Sequence, residues 1–246
     1  MKLGRTPAWS ALSILLVLLC LPGPAWGAPG DKAKRSEREN PAFAPVTENP
    51  ALPRVLIIGD SISIGYTLGV RSLLEGEANV LRIPVNGGPT TNGVKNLENW
   101  LGTGKWDVIH FNWGLHDIKY MKDGKTDMAG EWQVPPDDYR KNLESLVKRL
   151  KATGARLIWA TTTPVPQGSA GRVKGDEVKV NAVAAELMKA NGVAVDDLYA
   201  MVLPQLQQCQ LPANVHFTDE GYALLARQVA DSILEALQPG PKGGGK

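Results

Sequence analysis

Five short aliphatic runs, most of them separated by stretches of helical periodicity, constrain this chain more than any other feature. The runs are "RVLIIG" (54–59), "NVLRIPV" (79–85), "DVIHFNW" (107–113), "ARLIWAT" (155–161) and "GVAVDD" (192–197). Their apolar residues are continuous rather than alternating, the pattern of strands covered on both faces. "DDYRKNLESLVKRLKATG" places Tyr139, Leu143, Leu146, Val147 and Leu150 on one helical face, with Gly154 as a stop. "DEVKVNAVAAELMKANG" and "DEGYALLARQVADSILEAL" behave likewise. Alternation of strand and helix implies right-handed crossovers and a parallel sheet. The expected fold class is α/β, a three-layer α/β/α sandwich of about five parallel strands.

The ends of the chain fall outside that pattern. Lys2 and Arg5 precede the apolar run "AWSALSILLVLLC", and "PGPAWGA" offers small residues at Ala25 and Gly27. Residues 1–27 therefore read as a secretory signal peptide. The run is short for a membrane anchor, and Pro22 and Pro24 break it. Residues 28–52 are polar, charged and proline-bearing, and read as a disordered lead-in. The folded domain is expected over 53–238, with a flexible tail at 239–246.

Cleavage takes two of the 27 basic residues and none of the 25 acidic ones, which leaves the mature chain at net zero. That balance argues against nucleic acid as a partner. It also leaves Cys209 as the one thiol, so no internal disulfide is expected. No later stretch is long and apolar enough to span a bilayer. The expectation is a secreted or periplasmic monomer.

In a parallel sheet, ligands gather outside the carboxyl ends of the strands. The loops there read "GDSIS", "NGGPTT", "GLHD" and "TTPVP", and "NVHFT" precedes the last helix. Ser61, at the end of the first strand, is either the cap of the following helix or a nucleophile, and Asp60 is an equally good cap. From this motif alone both readings stay open. A nucleophilic serine needs a base, and the chain has three histidines. His110 lies inside the third strand and reads as a core residue, whereas His116 and His216 lie on loops at the carboxyl edge. Gly87 and Gly88 let a backbone N–H approach a ligand, as an oxyanion requires, although a tight turn uses the same residues. The histidines and the remaining cysteine show no metal-ligand spacing, and no cofactor or metal is expected.

Together these motifs resemble the SGNH hydrolases, or GDSL esterase/lipase family, from Arg54 to about Leu237. The resemblance implies a flavodoxin-like sandwich. "GDSIS" matches the first block and implies Ser61 as nucleophile and, through its N–H, as oxyanion donor, with Asp60 in support. "NGGPTT" matches the second block and implies Gly88 as a donor. "HFT" matches the fifth and implies His216 as the base. "GLHD" stands where the third block reads Gly-x-Asn-Asp, which puts His116 in the place of the amide donor. An imidazole N–H still donates, and more strongly when cationic. Asn112, four residues earlier, is the weaker substitute, and Asp117 keeps a structural acid.

The family's triad aspartate falls at position 213, which is Ala213. Three readings follow: Asn214 or a backbone carbonyl orients His216; Asp196, Asp197 or Asp219 takes the role; or the site binds without turnover. The long loop from Ile118 to Pro136 carries Tyr120 and Trp132 toward the expected pocket, with Trp113 and Trp100 as further candidates. Trp106 and Trp159 read as core. The function implied by the resemblance is an exported serine esterase acting on small acyl, chiefly acetyl, esters of carbohydrates. A lysophospholipase or thioesterase, and a carbohydrate-binding protein without turnover, are the alternatives.

Overall fold

The computed structural model describes Met1 and residues 40–238. The tail expected at 239–246, and the signal peptide expected at 1–27 apart from Met1, lie outside the described residues. In chain order the elements are β1 (Arg54–Ile58), α1 (Ser61–Leu73), β2 (Asn79–Arg82), α2 (Thr90–Leu101) and β3 (Val108–Phe111). Three short strands follow, β4 (Tyr120–Lys122), β5 (Lys125–Thr126) and β6 (Glu131–Trp132). Then come α3 (Pro136–Lys151), β7 (Arg156–Ala160), α4 (Asp176–Asn191), β8 (Ala194–Asp196), α5 (Leu198–Val202), α6 (Leu206–Cys209) and α7 (Asp219–Leu237).

The five aliphatic runs form one parallel sheet in the order β2-β1-β3-β7-β8. Strand one thus lies between strand two and strand three, so the chain reverses direction across the sheet at the β1–β3 boundary. That boundary is where such sheets open a crevice for ligands. Ser61 begins α1 directly after β1 and so stands at its mouth. Apart from Arg54, the side chains of β1 and β3 are buried on both faces, as their continuous apolar character requires. α3 buries Tyr139, Leu143, Leu146, Val147 and Leu150, the face read from the sequence.

α1 and α7 pack closely because α1 presents glycines four residues apart. A Cβ on Gly65 would lie 2.1 Å from the Tyr222 ring, and one on Gly69 would lie 2.7 Å from the Ala226 Cβ. Residues at this spacing share a helix face. The contact draws the start of α7, and the loop before it, over the start of α1.

Three expectations are corrected. The end of the lead-in read as disordered, residues 40–52, packs on the domain. Pro41–Phe43 forms a turn of 3₁₀ helix capped by the Asn40 side chain, with Ala42 buried. The Arg82 guanidinium lies 4.8 Å above the Phe43 ring, and Asn79 donates to the carbonyls of Asn49 and Leu52. The loop after Ile118 is not bare, since β5-β4-β6 form a small antiparallel sheet there. Trp113 is not a pocket residue but a buried core side chain, packed on Phe111 and against Gly93. No helix of the described residues is long and apolar enough to cross a membrane.

Candidate active site

Asp60, not Ser61, caps α1: its Oδ1 accepts from the Ile62 N–H at 2.9 Å. The Ser61 hydroxyl is therefore released from capping, and its Oγ lies 2.8 Å from His216 Nε2. The Ser61 N–H, in the first turn of α1, donates to no acceptor among the described residues. His216 reaches this position from the loop before α7, whose N-cap is Thr218.

The imidazole tautomer follows from its other neighbour. Asn214 Oδ1 accepts from the His216 backbone N–H at 3.1 Å and contacts His216 Nδ1 at 2.7 Å. A backbone N–H only donates, so the amide atom facing it is the oxygen. Nδ1 then carries the proton, and Nε2 offers its lone pair to the serine hydroxyl. Burial pushes the His216 pKa below the usual histidine range; Asp60 opposes this and Arg172 adds to it. The ring is neutral at pH 7, the state a base requires.

The carboxylates considered as relocated acids are engaged elsewhere or stand apart. Asp196 accepts from Gln228 and pairs with His110 Nε2 at 2.9 Å, both wholly buried. Asp197 caps α5 and accepts from Thr161. Asp219 lies in the first turn of α7 and makes no hydrogen bond to His216.

The expected oxyanion donors are less uniform. Gly88 has φ +61°, in the left-handed region, and its N–H donates to Asn86 Oδ1 at 3.0 Å. The loop is drawn against the end of β1 by Gly87, whose N–H donates to the Gly59 carbonyl at 2.9 Å. A Cβ on Gly87 would lie 2.8 Å from that oxygen, so only glycine fits. The His116 ring makes no hydrogen bond within the described residues. Burial holds its pKa below the usual range, as do Arg172, Lys119 and His216, against Asp60. Any donation is thus from neutral imidazole, not from a cation. Asn112 is committed elsewhere, donating to the Ala160 carbonyl at 2.7 Å.

Asp117 ties the His116 loop to the Gly88 loop. α2 has Pro89 at its N-cap and no capping side chain of its own. Asp117 Oδ1 supplies the missing acceptor, taking the Thr90 N–H at 2.9 Å and the Thr90 hydroxyl at 2.5 Å. Its carboxyl is buried, and that burial pushes its pKa up to about 7. Sequence reading missed a further neighbour, Arg172, whose Nε donates to the Leu115 carbonyl at 2.6 Å. It lies in a loop with no periodicity, and only its charge marked it. The aromatics of β4 and β6 end on one carboxylate: Asp176 Oδ2 accepts from Tyr120 Oη at 3.1 Å and from Trp132 Nε1 at 3.0 Å.

Residues 57–224, spanning all of these groups, match the family model described as the GDSL-like lipase/acylhydrolase family. The chain belongs to that family. GDSL-like acylhydrolases are serine ester hydrolases, and the serine, histidine and oxyanion candidates above all fall within the matched region. No curated protein matches the chain. Among solved structures, the lipase/acylhydrolase from Enterococcus faecalis superimposes with a TM-score of 0.64 at 23% identity, covering 77% of this chain and 99% of that one. The acetyl xylan esterase AlAXEase gives a TM-score of 0.60 at 15% identity, covering 73% and 99%. Axe2, an acetylxylan esterase from Geobacillus stearothermophilus, gives 0.62 at 20% identity, covering 74% and 94%. At these identities the likeness establishes a shared fold with other GDSL-like enzymes.

Proposed function

We propose that the protein is an exported esterase that hydrolyses small acyl esters, chiefly acetyl esters of carbohydrates, through a covalent intermediate on Ser61. The observation that carries this reading is the 2.8 Å contact between Ser61 Oγ and the unprotonated Nε2 of His216. In the first step Oγ attacks the ester carbonyl carbon while its proton passes to Nε2. The carbonyl oxygen becomes an oxyanion beside the Ser61 N–H, with Gly88 and His116 as further donors. For Gly88 to take part, its N–H must exchange Asn86 Oδ1 for the substrate oxygen. Collapse of the tetrahedral species breaks the ester C–O bond, and the departing alkoxide takes the proton from Nε2. Water then repeats the sequence on the acyl-enzyme and releases the acid and free Ser61.

Asn214 does the orienting work of a triad acid without its charge. It fixes the tautomer but stabilises the imidazolium less than a carboxylate, so a slower enzyme than a full triad is expected. Acetyl as the acyl group is supported by the acetylxylan esterases among proteins of the same fold. Export rests on the basic, apolar and small-residue pattern of residues 1–27.

The test is labelling with a fluorophosphonate together with hydrolysis of 4-nitrophenyl acetate. Wild type is expected to label and turn over, whereas Ser61→Ala and His216→Ala do neither. An unlabelled, silent wild type would leave a binding protein of the same fold as the better reading.

A further inference from the structure

Two cations, Lys119 and Arg172, stand together against the loop that carries His116. Arg172 is half-buried, and it is fixed by Nε to the Leu115 carbonyl at 2.6 Å and by Nη1 to the Ala170 carbonyl at 3.4 Å. Lys119 lies alongside: a Cβ on Gly171 would meet Lys119 Cγ at 3.4 Å and Cε at 3.5 Å, so its stem runs over the residue before Arg172. The Tyr120 N–H donates to the Gly171 carbonyl at 2.8 Å and pins the two loops together. Neither cation has a carboxylate within 4 Å among the described residues, whereas other basic side chains such as Arg54, Arg140, Arg149 and Lys179 are paired.

Holding like charges together costs free energy, and Lys119 shows it. Burial and then Arg172 push the Lys119 pKa down, and Arg172 in turn lowers that of both His116 and His216. The bond from Arg172 Nε to the Leu115 carbonyl sets the guanidinium against the residue before His116. Asp60 is the acidic group that faces this cluster, and its Oδ1 is occupied by the α1 cap.

We infer that Lys119 and Arg172 form a receptor for a carboxylate on the alcohol part of the substrate, so that the esters cleaved are those of acidic sugars. The inference rests on the proposed esterase reading of the Ser61–His216 pair. Two of the five guanidinium N–H groups serve backbone carbonyls, which leaves three on Nη1 and Nη2, and the Lys119 ammonium, as donors. The planar N–H fork edge, flanked by one ammonium, matches the planar two-oxygen edge of a carboxylate.

The test compares acetylated methyl glucuronoside with its uncharged methyl ester, and with 4-nitrophenyl acetate as the neutral control. Wild type is expected to favour the carboxylate form in kcat/KM by about ten-fold or more at low salt, the worth of one or two charge-assisted hydrogen bonds. That preference should shrink in 0.5 M salt and collapse toward unity in Lys119→Gln and Arg172→Gln. Lys119→Gln guards against misfolding of Arg172→Gln, because Lys119 holds no backbone group. Equal rates on the two glucuronoside forms overturn the inference, and so does preference for a lysophosphatidate.

A binding arm separates this inference from the esterase reading. Calorimetric titration of the Ser61→Ala chain with methyl glucuronoside and with methyl glucoside reports on the receptor without turnover. Tighter binding of the glucuronoside supports the receptor even where no ester is cleaved, and equal binding of the two overturns it.

Discussion

The Cβ of Ala213 lies 3.3 Å from the position a Cβ would take on Gly168, and Ala213 has φ +52°. Its side chain therefore faces the neighbouring loop, while the imidazole is held from position 214. An acid restored at position 213 would enter that contact from a left-handed backbone and would not replace Asn214 on Nδ1. Ala213→Asp is thus expected to leave kcat/KM for 4-nitrophenyl acetate no higher than wild type. Asn214→Asp should raise it, since it adds charge at the atom that already touches Nδ1. Asn214→Ala should lower kcat by about 10²-fold or more, within the 10⁴-fold cost of a lost tautomer lock.

The pH profile follows from the direction of the His216 shift. In the proposed mechanism His216 acts as the base only when neutral, and burial holds its pKa below the ordinary histidine value of 6.5. Activity should fall on acidification with its midpoint below about pH 6.5 and level off at higher pH. Asn214→Asp places a negative charge against the ring, favours the imidazolium and moves the acid limb to higher pH. Initial-rate measurements of kcat/KM between pH 4 and pH 8 check both.

His116 is expected to act as a neutral donor. Its substitution by alanine should lower kcat by about 10²-fold, the usual cost of one oxyanion donor. His116→Asn restores an amide at the place where the family carries one and should keep most of the rate. Steady-state kinetics on 4-nitrophenyl acetate distinguish the two variants, and a loss confined to KM would remove His116 from the oxyanion site.

Asp117 makes stability depend on pH in the less common direction. Its folded pKa of about 7 stands above the ordinary value of 3.8, so between these limits the folded state binds the proton that the unfolded state has released. Its contribution is fully present below about pH 4 and is lost as pH rises through 7, at about 1.4 kcal/mol per pH unit. Asp117→Asn keeps an acceptor for Thr90 and removes the titration. Urea unfolding at several pH values should show wild type losing stability across this window relative to the variant.

Much of this could be read before any coordinates, for physical reasons that also explain the failures. The aliphatic runs became strands because a sheet covered on both faces needs unbroken apolar sequence, and Asp60 and Ser61 were already competing for one cap. β5 and β6 escaped notice because strands of two residues carry no period. The Asn86–Gly88 bond has a signal, an asparagine two residues before a glycine, but the same pattern serves a donor loop as well as an acceptor closing on itself. Asn214 was among the candidates, yet only coordinates decide which of several nearby oxygens meets Nδ1. Arg172 and Lys119 stand on separate loops, and nothing local in the sequence brings them together.

The approach of α1 to α7 carries a last prediction. Gly65 admits the Tyr222 ring, whose centroid lies 5.8 Å from that of Phe217, the residue after His216. A methyl group on Gly65 would stand 2.1 Å from Tyr222 Cε1, so the ring must move and press on the loop that aims the imidazole. Gly65→Ala should cost about 1–3 kcal/mol by overpacking, a fall of about 2–10 °C in Tm. It should also lower kcat/KM beyond what instability explains, because the Ser61–His216 contact lengthens. The double variant Gly65→Ala/Tyr222→Ala makes room for the methyl group. If displacement of the ring is the cause, the second substitution should recover part of the activity lost in the first; if activity falls further, the glycine serves helix packing alone.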